Sequence, residues 1–493
     1  MRMKYLLPLW ASFMAAAMSA QTFTVLHTFG AGADGVMPEN VICVGNTLYG
    51  TTYEGGTNDS GTVFSINTDG TDYTVLHSFG APAASIDDEL STNADGTSPE
   101  GPLIAAGNTL YGTAMFGGTN GWGTIYTITT NGTNFSVLYT FPGFVGRPAT
   151  NETGNNPEAG LLLSGGTLYG LNSNGGTNRV GTLFSINTNG GNYTVVFNFP
   201  RTSSGTNADG SNPANTLIQA GDTLYAPAGF GGPDGLGTVF SYDTNDSVFE
   251  VLHTFSGFPD GSNPFGPVTA SGDTLYGTAT GGGTNDWGCV YLLPITGGAT
   301  VLLHSFTPAS STPFTNTDGT HPQGALALAS GWLYGTANAG AAYGNGDVFY
   351  VSVSAGNFGV LHHFSMLNTN LAGVETNWDG AGPVAGVVVN GNTLYGVALN
   401  GGTNGDGVVY SLTLPVLTIS SFNLAGSNLV INAAGGLGGA ACTVLTGTNL
   451  AQPLSQWEAV ASGSLTNTGN FTMTATNAVS VVPGQQFYVL REE

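Results

Sequence analysis

Three arginines are the first candidates for chemistry because basic residues are so rare in this sequence. Its 493 residues include 6 Lys and Arg against 30 Asp and Glu, for a formal net charge of −24. Arg147, Arg179 and Arg201 fall in three successive loops of the predicted strand pattern. The planar guanidinium group suits carboxylates, so together they predict a clamp for an acidic sugar or another carboxylate ligand. The alternative is ordinary surface pairing of each arginine with a nearby Asp or Glu.

Aromatic residues in glycine-rich loops are the second set of candidates. These are Phe116, Trp122, Phe230, Trp287 and Trp378. Exposed aromatic rings mark interaction sites, and these rings could stack on sugar rings. The alternative is that they only cover the loops that carry them. With the three arginines they complete our set of candidate ligand-binding residues, and we assign no catalytic residue.

Histidine and aspartate recur at fixed places. Histidine occupies one position of a repeated segment at 27, 77, 253, 304 and 362, and Asp-Gly-x-x-Pro begins at Asp34, Asp95, Asp209, Asp260, Asp318 and Asp379, with Thr153 in the third copy. A residue that recurs once per repeat favours packing over a ring of metal sites, and Asp-Gly with Pro is typical of turns. His321 and His363 fall outside this register without metal-ligand spacing. Weak calcium binding is the alternative for the aspartates; we predict no cofactor.

Motifs of the common catalytic mechanisms are absent from the sequence. It contains no G-x-S-x-G, no H-E-x-x-H and no P-loop. Two carboxylates could act as a glycosidase acid and base, but 30 acidic residues offer too many candidates. We leave enzymatic activity open and favour a protein that is not an enzyme.

The elements that position these residues come from one repeated unit. Leu-Tyr-Gly, or Leu-Tyr-Ala in the fourth copy, recurs with its tyrosine at 49, 111, 169, 225, 276, 334 and 395. The second copy reads GPLIAAG (101–107), TLYGTAMFGG (109–118), GTIYTITTNG (123–132) and NFSVLYTF (134–141). These short segments, rich in Val, Ile, Thr, Tyr and Phe between Gly and Asn turns, predict strands. Four antiparallel strands repeated in this way indicate a blade of a β-propeller.

The two ends of the repeat predict how it closes. A copy of the last strand stands alone at Val25–Phe29, whereas the seventh unit stops after GVVYSLTLP (407–415) without a last strand of its own. An N-terminal strand that completes the last blade would remove a free sheet edge. The sequence therefore predicts an all-β protein: residues 21–415 form a seven-bladed β-propeller closed by its N-terminal strand.

The flanking segments differ from the repeat. Residues 1–20 have Arg2 and Lys4, an apolar run and small residues up to Ala20, which is the pattern of a secretory signal peptide. We therefore expect export to the periplasm, the cell surface or the medium, with no membrane span in the mature chain. Residues 416–493 contain short alternating runs that predict a small β-sandwich. Three scattered cysteines cannot form a complete set of disulfides.

The unit GNTLYGTTYEGGTNDSGTVFSINTDGTDYTVLHSF (45–79) resembles the Gloeo-Verruco tandem repeat of exported bacterial proteins. The resemblance extends over roughly residues 22–412, and the tail is similar to a small C-terminal β-domain of such proteins. It implies repeat architecture and export, and no reaction. Some members have a hydrophobic sorting tail, whereas this chain ends FYVLREE, so we expect no anchor helix.

These observations favour an exported, non-catalytic binding or scaffold protein. Its ligand, a polysaccharide or a protein, would bind the loop face of the propeller, and we expect a monomer. The alternatives are a propeller hydrolase or lyase that acts on an acidic glycan, and a purely structural cell-surface protein. Nucleic acid is excluded as a partner because phosphate binding needs clustered Lys and Arg.

Overall fold

A computed structural model describes residues 21–30, 32–83, 92–143, 151–354, 356–425, 428–447, 452–466, 471–476 and 487–492. The predicted signal peptide, residues 1–20, lies outside the described residues. Phe23–Thr413 and Leu414–Glu493 belong to two compact units. The described chain is all-β; its one helical segment is a 3-10 turn at Leu454–Gln456. Among these residues, no helix has the length and apolar character that crossing a membrane requires.

Strands of the first unit form seven four-stranded antiparallel sheets within the described residues. Sheet 1 contains Val36–Val44, Thr47–Glu54, Thr62–Asn67 and Thr74–Ser78, and sheet 2 contains Ile104–Ala106, Thr109–Ala114, Thr124–Thr129 and Ser136–Thr140. Sheet 3 contains Leu162–Ser164, Thr167–Asn172, Thr182–Asn187 and Thr194–Asn198, and sheet 4 contains Ile218–Ala220, Thr223–Ala228, Thr238–Asp243 and Val248–Thr254. Sheet 5 contains Thr269–Ser271, Thr274–Ala279, Cys289–Pro294 and Val301–Ser305, and sheet 6 contains Ala327–Ala329, Trp332–Ala337, Asp347–Ser352 and Phe358–His363. Sheet 7 contains Val388–Asn390, Thr393–Ala398, Val408–Thr413 and the N-terminal strand Phe23–Thr28.

Two short ladders lie outside these sheets. Asn151–Asn155 pairs with Asn174–Gly176, and Asn368–Thr369 pairs with Glu375–Thr376. The second ladder is a hairpin in the connection between sheets 6 and 7.

The Leu-Tyr-Gly strand lies in the interior of each sheet, and its glycine is required by close packing. In sheet 2, Leu110 and Tyr111 are buried. A Cβ atom on Gly112 would lie 2.5 Å from the ring of Tyr126 on the neighbouring strand. A side chain there would therefore displace that ring, which explains why six of the seven copies keep glycine.

Aromatic pairs join each sheet to the next. Phe79, which follows sheet 1, packs edge-on against Tyr126 of sheet 2 with ring centroids 5.3 Å apart. The corresponding pairs are Phe29–Phe64, Phe141–Phe184, Phe199–Phe240, Phe255–Tyr291, Phe306–Phe349 and Phe364–Tyr410, with centroids 5.3–5.8 Å apart. Edge-to-face geometry is favourable for such rings, so each sheet is covered by an apolar face of its neighbour.

The N-terminal strand pairs where the sequence places it. Phe23–Thr28 runs antiparallel to Val408–Thr413, with Thr24 opposite Ser411. Phe29 then enters a buried cluster that contains Val41 of sheet 1 and Val409 of sheet 7. Sheet 7 is therefore packed against sheet 1.

The second unit contains two three-stranded antiparallel sheets. One orders Leu417–Ala425, Asn428–Gly435 and Phe471–Ala475, and the other orders Glu458–Ser464, Ala441–Gly447 and Phe487–Glu492. None of the three cysteines forms a disulfide; Cys289 and Cys442 are buried, whereas Cys43 is partly exposed.

Candidate functional site

The loops that join the second and third strands of each sheet lie beside the loops that lead from one sheet to the next. Backbone bridges connect Thr97 to Phe116, Ser211 to Phe230 and Ala381 to Asn400. We call this edge of the sheets the loop edge. All the candidate ligand-binding residues that the structure describes lie on it.

A histidine–aspartate clip ties the end of a sheet to the loop edge. The Nε2 atom of His77 lies 2.9 Å from Oδ2 of Asp95, and the backbone N–H of Gly80 donates to the same carboxylate. Pairs His253–Asp260, His304–Asp318 and His362–Asp379 have the same contact at 2.9–3.0 Å, and His27–Asp34 is longer at 3.4 Å. In these five copies the Asp of Asp-Gly-x-x-Pro is therefore occupied by internal contacts.

Four of these histidines stack on an aromatic ring of the following sheet, whereas Nδ1 of His253 lies 2.9 Å from the carbonyl oxygen of Gly298. His77 lies over Phe135 at 3.7 Å and His304 over Phe358 at 3.6 Å. Sheets 2 and 3 replace the histidine by Tyr139 and Phe197, which keep the stack at 4.0 and 3.7 Å. An aromatic ring is thus the shared requirement, which is the packing role that the repeat predicts. In the part of the chain that the structure describes, no three His, Cys, Asp or Glu side chains are placed to hold one metal ion.

An asparagine two residues before the Asp-Gly pair forms a second clip. Asn207 donates to the carbonyl groups of Pro200 and Gly210, and its Oδ1 accepts from the N–H groups of Gly210 and Gly232. Equivalent sets of four hydrogen bonds surround Asn93, Asn316 and Asn377. Our sequence analysis missed these residues, although N-x-D-G recurs in the sequence and could have identified them.

Two of the three candidate arginines lie exposed on neighbouring loops of sheet 3. Arg179 and Arg201 are both exposed, and Asn178 ties the two loops together by donating to the carbonyl of Phe199. Neither arginine forms an ion pair with any Asp or Glu among the described residues. Arg147 lies outside the described residues.

The candidate aromatic residues divide into two groups. Phe116, Phe230 and Trp378 are 37%, 43% and 55% exposed. Trp122 and Trp287 are partly buried and pack against the cores between sheets 2 and 3 and between sheets 5 and 6. The rings of the first group are accessible to a ligand without rearrangement.

A cavity of about 390 Å³ opens on the loop edge between sheets 6 and 7. Its wall includes the amides Asn338, Asn345 and Asn400, the carboxylate Glu375 and the apolar side chains Leu367 and Val374. The hairpin between sheets 6 and 7 supplies the last three. The sequence analysis did not predict this cavity.

Three glutamates follow the proline of successive repeats and interact with one another. Burial and the charge of Glu100 raise the pKa of Glu39 to about 8. Burial and the charge of Glu158 raise the pKa of Glu100 to about 7. The side chain of Asn40 donates to the Glu100 carbonyl at 2.9 Å, which joins the first two segments. The carboxyl groups of Glu39 and Glu100 are therefore partly protonated near neutral pH.

One further carboxyl group is fully buried in sheet 6. Neither side-chain oxygen of Asp347 has a hydrogen-bond partner in the described part of the chain, and Oδ2 lies 3.7 Å from Nδ1 of His363. Burial, followed by the charge of Asp318, raises the pKa of Asp347 well above its usual value. Burial lowers the pKa of His363.

Comparison of the sequence with family models identifies one repeat. The model described as the Gloeobacter/Verrucomicrobia repeat matches residues 12–148, 80–266, 148–313 and 258–451. No curated protein matches the sequence.

Several solved structures share a similar arrangement of strands at low identity. TolB from Acinetobacter baumannii is 12% identical, with a TM-score of 0.36 over 62% of this chain and 61% of its own. The extracellular domain of a hybrid two-component system from B. thetaiotaomicron is 12% identical, with a TM-score of 0.46 over 82% of this chain and 41% of its own. The β-propeller domain of the Trilobed protease from Pyrococcus furiosus is 10% identical, with a TM-score of 0.41 over 76% and 95%. This chain thus spans less than two thirds of the first two proteins.

Proposed function

The chain belongs to the Gloeobacter/Verrucomicrobia repeat family, as its sequence indicated, and from this premise we propose that it is an exported, non-catalytic binding or scaffold protein. Its seven sheets would be the blades of a closed propeller, and its ligand would be a polysaccharide held at the loop edge. The leader-like residues 1–20 support export, and the packing of sheet 7 against sheet 1 supports closure. No cofactor is needed for this function.

The proposal rests on a difference in exposure between the side chains that recur in each sheet and those that vary from sheet to sheet. In most copies the repeated His, Asp and Asn side chains of the loop edge are occupied by internal hydrogen bonds, as in the Asp95 and Asn207 clips. Side chains that differ from sheet to sheet, such as Arg179, Phe230 and Trp378, are exposed there. A rigid scaffold with variable loops is the usual arrangement of a binding surface.

Affinity electrophoresis of the purified protein tests this function. We expect retardation in native gels that contain one or more members of a panel of neutral and acidic polysaccharides, with no new reducing ends or unsaturated products. Products that disappear in Arg179→Ala would favour the hydrolase or lyase instead. Absence of retardation by every polymer would overturn a polysaccharide ligand and leave a protein partner or a structural role.

A further inference from the structure

The cavity between sheets 6 and 7 arises from one departure from the repeat. The residue before the proline of Asp-Gly-x-x-Pro has a φ of 53–65° in all seven copies. The first six copies carry a side chain there, namely Met37, Ser98, Asn156, Asn212, Asn263 and His321, and the seventh has Gly382. The seventh copy is therefore the one that lacks a side chain at this position.

The backbone at Gly382 is the same as in the other copies. Its N–H donates to Asn345 and its carbonyl accepts from Leu399, just as Asn263 bonds to Leu236 and Thr280. In sheets 4 and 5 the side chains of Asn212 and Asn263 reach back to the carbonyl groups of Ser173 and Gly229. The residue equivalent to Ser173 and Gly229 beside Gly382 is Asn338, so the missing side chain would have filled the space next to it.

Unused amide groups surround this space. A Cβ atom on Gly382 would lie 3.4 Å from Oδ1 of Asn338 and 3.6 Å from Nδ2 of Asn400. Neither side chain donates or accepts a hydrogen bond within the described residues, whereas Nδ2 of Asn345 is occupied by the carbonyl of Ser365 at 2.6 Å. Amides offer both a donor and an acceptor, which is what a sugar hydroxyl group needs.

The negative charge of the cavity wall disfavours acidic sugars as ligands. Among the described residues that form the wall, Glu375 has the one ionisable side chain, and the protein carries a net charge of −24. A uronic acid in the cavity would meet a carboxylate and no cation to balance it. Leu367 and Val374 supply apolar surface for the C–H faces of a sugar ring, and a volume of about 390 Å³ falls in the range of small-molecule sites.

We propose that this cavity binds an uncharged sugar residue through Asn338, Asn400 and Glu375, with the space left by Gly382 as its floor. The inference rests on the proposed function and deepens it by naming the class of ligand. It also separates this site from the Arg179 and Arg201 loops, whose charge would suit an acidic polymer.

Filling the floor of the cavity tests the inference. Gly382→Asn restores the residue of sheets 3–5, which accept asparagine at a φ of 53–54°, so the variant should fold. We expect its Kd for a neutral polymer such as galactomannan to rise at least tenfold. Asn338→Ala removes one amide without breaking a hydrogen bond of the described chain and should weaken the same binding.

The control makes the same substitution away from the cavity. Gly221→Asn lies in an exposed hairpin turn of sheet 4, where φ is 62° and a Cβ atom would have no neighbouring atom within 4 Å. This variant should bind as the unaltered protein does. Titration with free neutral monosaccharides distinguishes a single sugar from a polymer as the ligand.

Each remaining outcome decides between the two proposals. Unchanged galactomannan binding by folded Gly382→Asn and Asn338→Ala would overturn the cavity as the site and leave the proposed function standing. Preferential binding of polygalacturonate that both variants retain would also overturn the inference and favour the arginine loops. If the unaltered protein binds no polysaccharide, both proposals fail together.

Discussion

At the scale of single residues, the buried Asp347 departs from the repeat, because its position carries a hydroxyl group in four other sheets. Its position in sheets 1–4 is Thr62, Thr124, Thr182 and Thr238. The hydroxyl group of Thr124 donates to the carbonyl of Asp95 at 2.9 Å, and that of Thr238 donates to the carbonyl of Asp209. A protonated carboxyl group can donate in the same way, but a carboxylate cannot. An ionised Asp347 would therefore be a buried charge without a hydrogen bond.

Titration of Asp347 makes the stability of the folded protein dependent on pH. The folded pKa of Asp347 is raised, so the folded protein retains a proton that the unfolded chain releases above pH 4 or so. The free energy of unfolding then falls as the pH rises from that value towards the folded pKa, and stays low above it. We expect Asp347→Thr to raise the melting temperature by about 5 °C at pH 8 and by much less at pH 4.5, as measured by calorimetry. The exposed Asp234→Asn should change neither value, and an equal gain at both pH values would refute a titrating Asp347.

At the scale of the strands and loops, the asparagine clip fixes the loop edge. Removal of the Asn207 side chain leaves two carbonyl and two N–H groups of the neighbouring loops without this partner. A half-buried backbone group that loses its hydrogen bond is costly. Asn207→Ala should therefore lower the free energy of unfolding by about 2–3 kcal/mol in denaturant titrations. Asn245→Ala, in an exposed turn, is the matched control; equal stability of the two variants would show that the clip is dispensable.

The repeat explains how much of these elements the sequence could predict. The repeated Leu-Tyr-Gly segments predicted the strands because strand formation depends on local sequence pattern. The copy of the last strand at Val25 predicted the pairing of the N-terminal strand with the last sheet because the seventh unit lacks a last strand of its own. In sheets 2–7 the first strands are shorter than the apolar runs that predicted them: GPLIAAG (101–107) yields only Ile104–Ala106, since Pro102 lies against Gly160 of the next repeat.

The candidate site was less predictable because it depends on residues that differ from the other copies of the repeat. Arginine and tryptophan attract attention in any sequence, yet Trp122 and Trp287 pack against cores. The cavity depends on a glycine, Gly382, where other copies have a side chain, and on two amides that approach it from different sheets. Only a position-by-position alignment of the seven copies, followed by the three-dimensional placement of Asn338 and Asn400, brings these residues together.

At the scale of the whole molecule, the N-terminal strand determines whether the seven sheets of Phe23–Thr413 form a closed ring. Phe23 stacks on His362 at 3.8 Å, and Phe29 packs edge-on against Phe64 of sheet 1 at 5.4 Å. The strand thus contacts sheet 6, sheet 7 and sheet 1. A ring closed in this way loses its last free edge, and its two chain ends stabilise each other.

Deletion of residues 21–29 tests this closure through hydrogen exchange. In a closed ring the deletion should speed amide exchange in sheet 7 and also in sheet 1, at 388–413 and 36–54, while sheets 3 and 4 keep their protection, because local openings are confined to neighbouring units. A synthetic peptide of residues 21–30 should restore protection at both ends, whereas a version with Phe23→Ala and Phe29→Ala should not. If sheet 7 loses protection and the whole of sheet 1 exchanges as in the unaltered protein, the seven sheets are an open stack and the proposed ring is wrong.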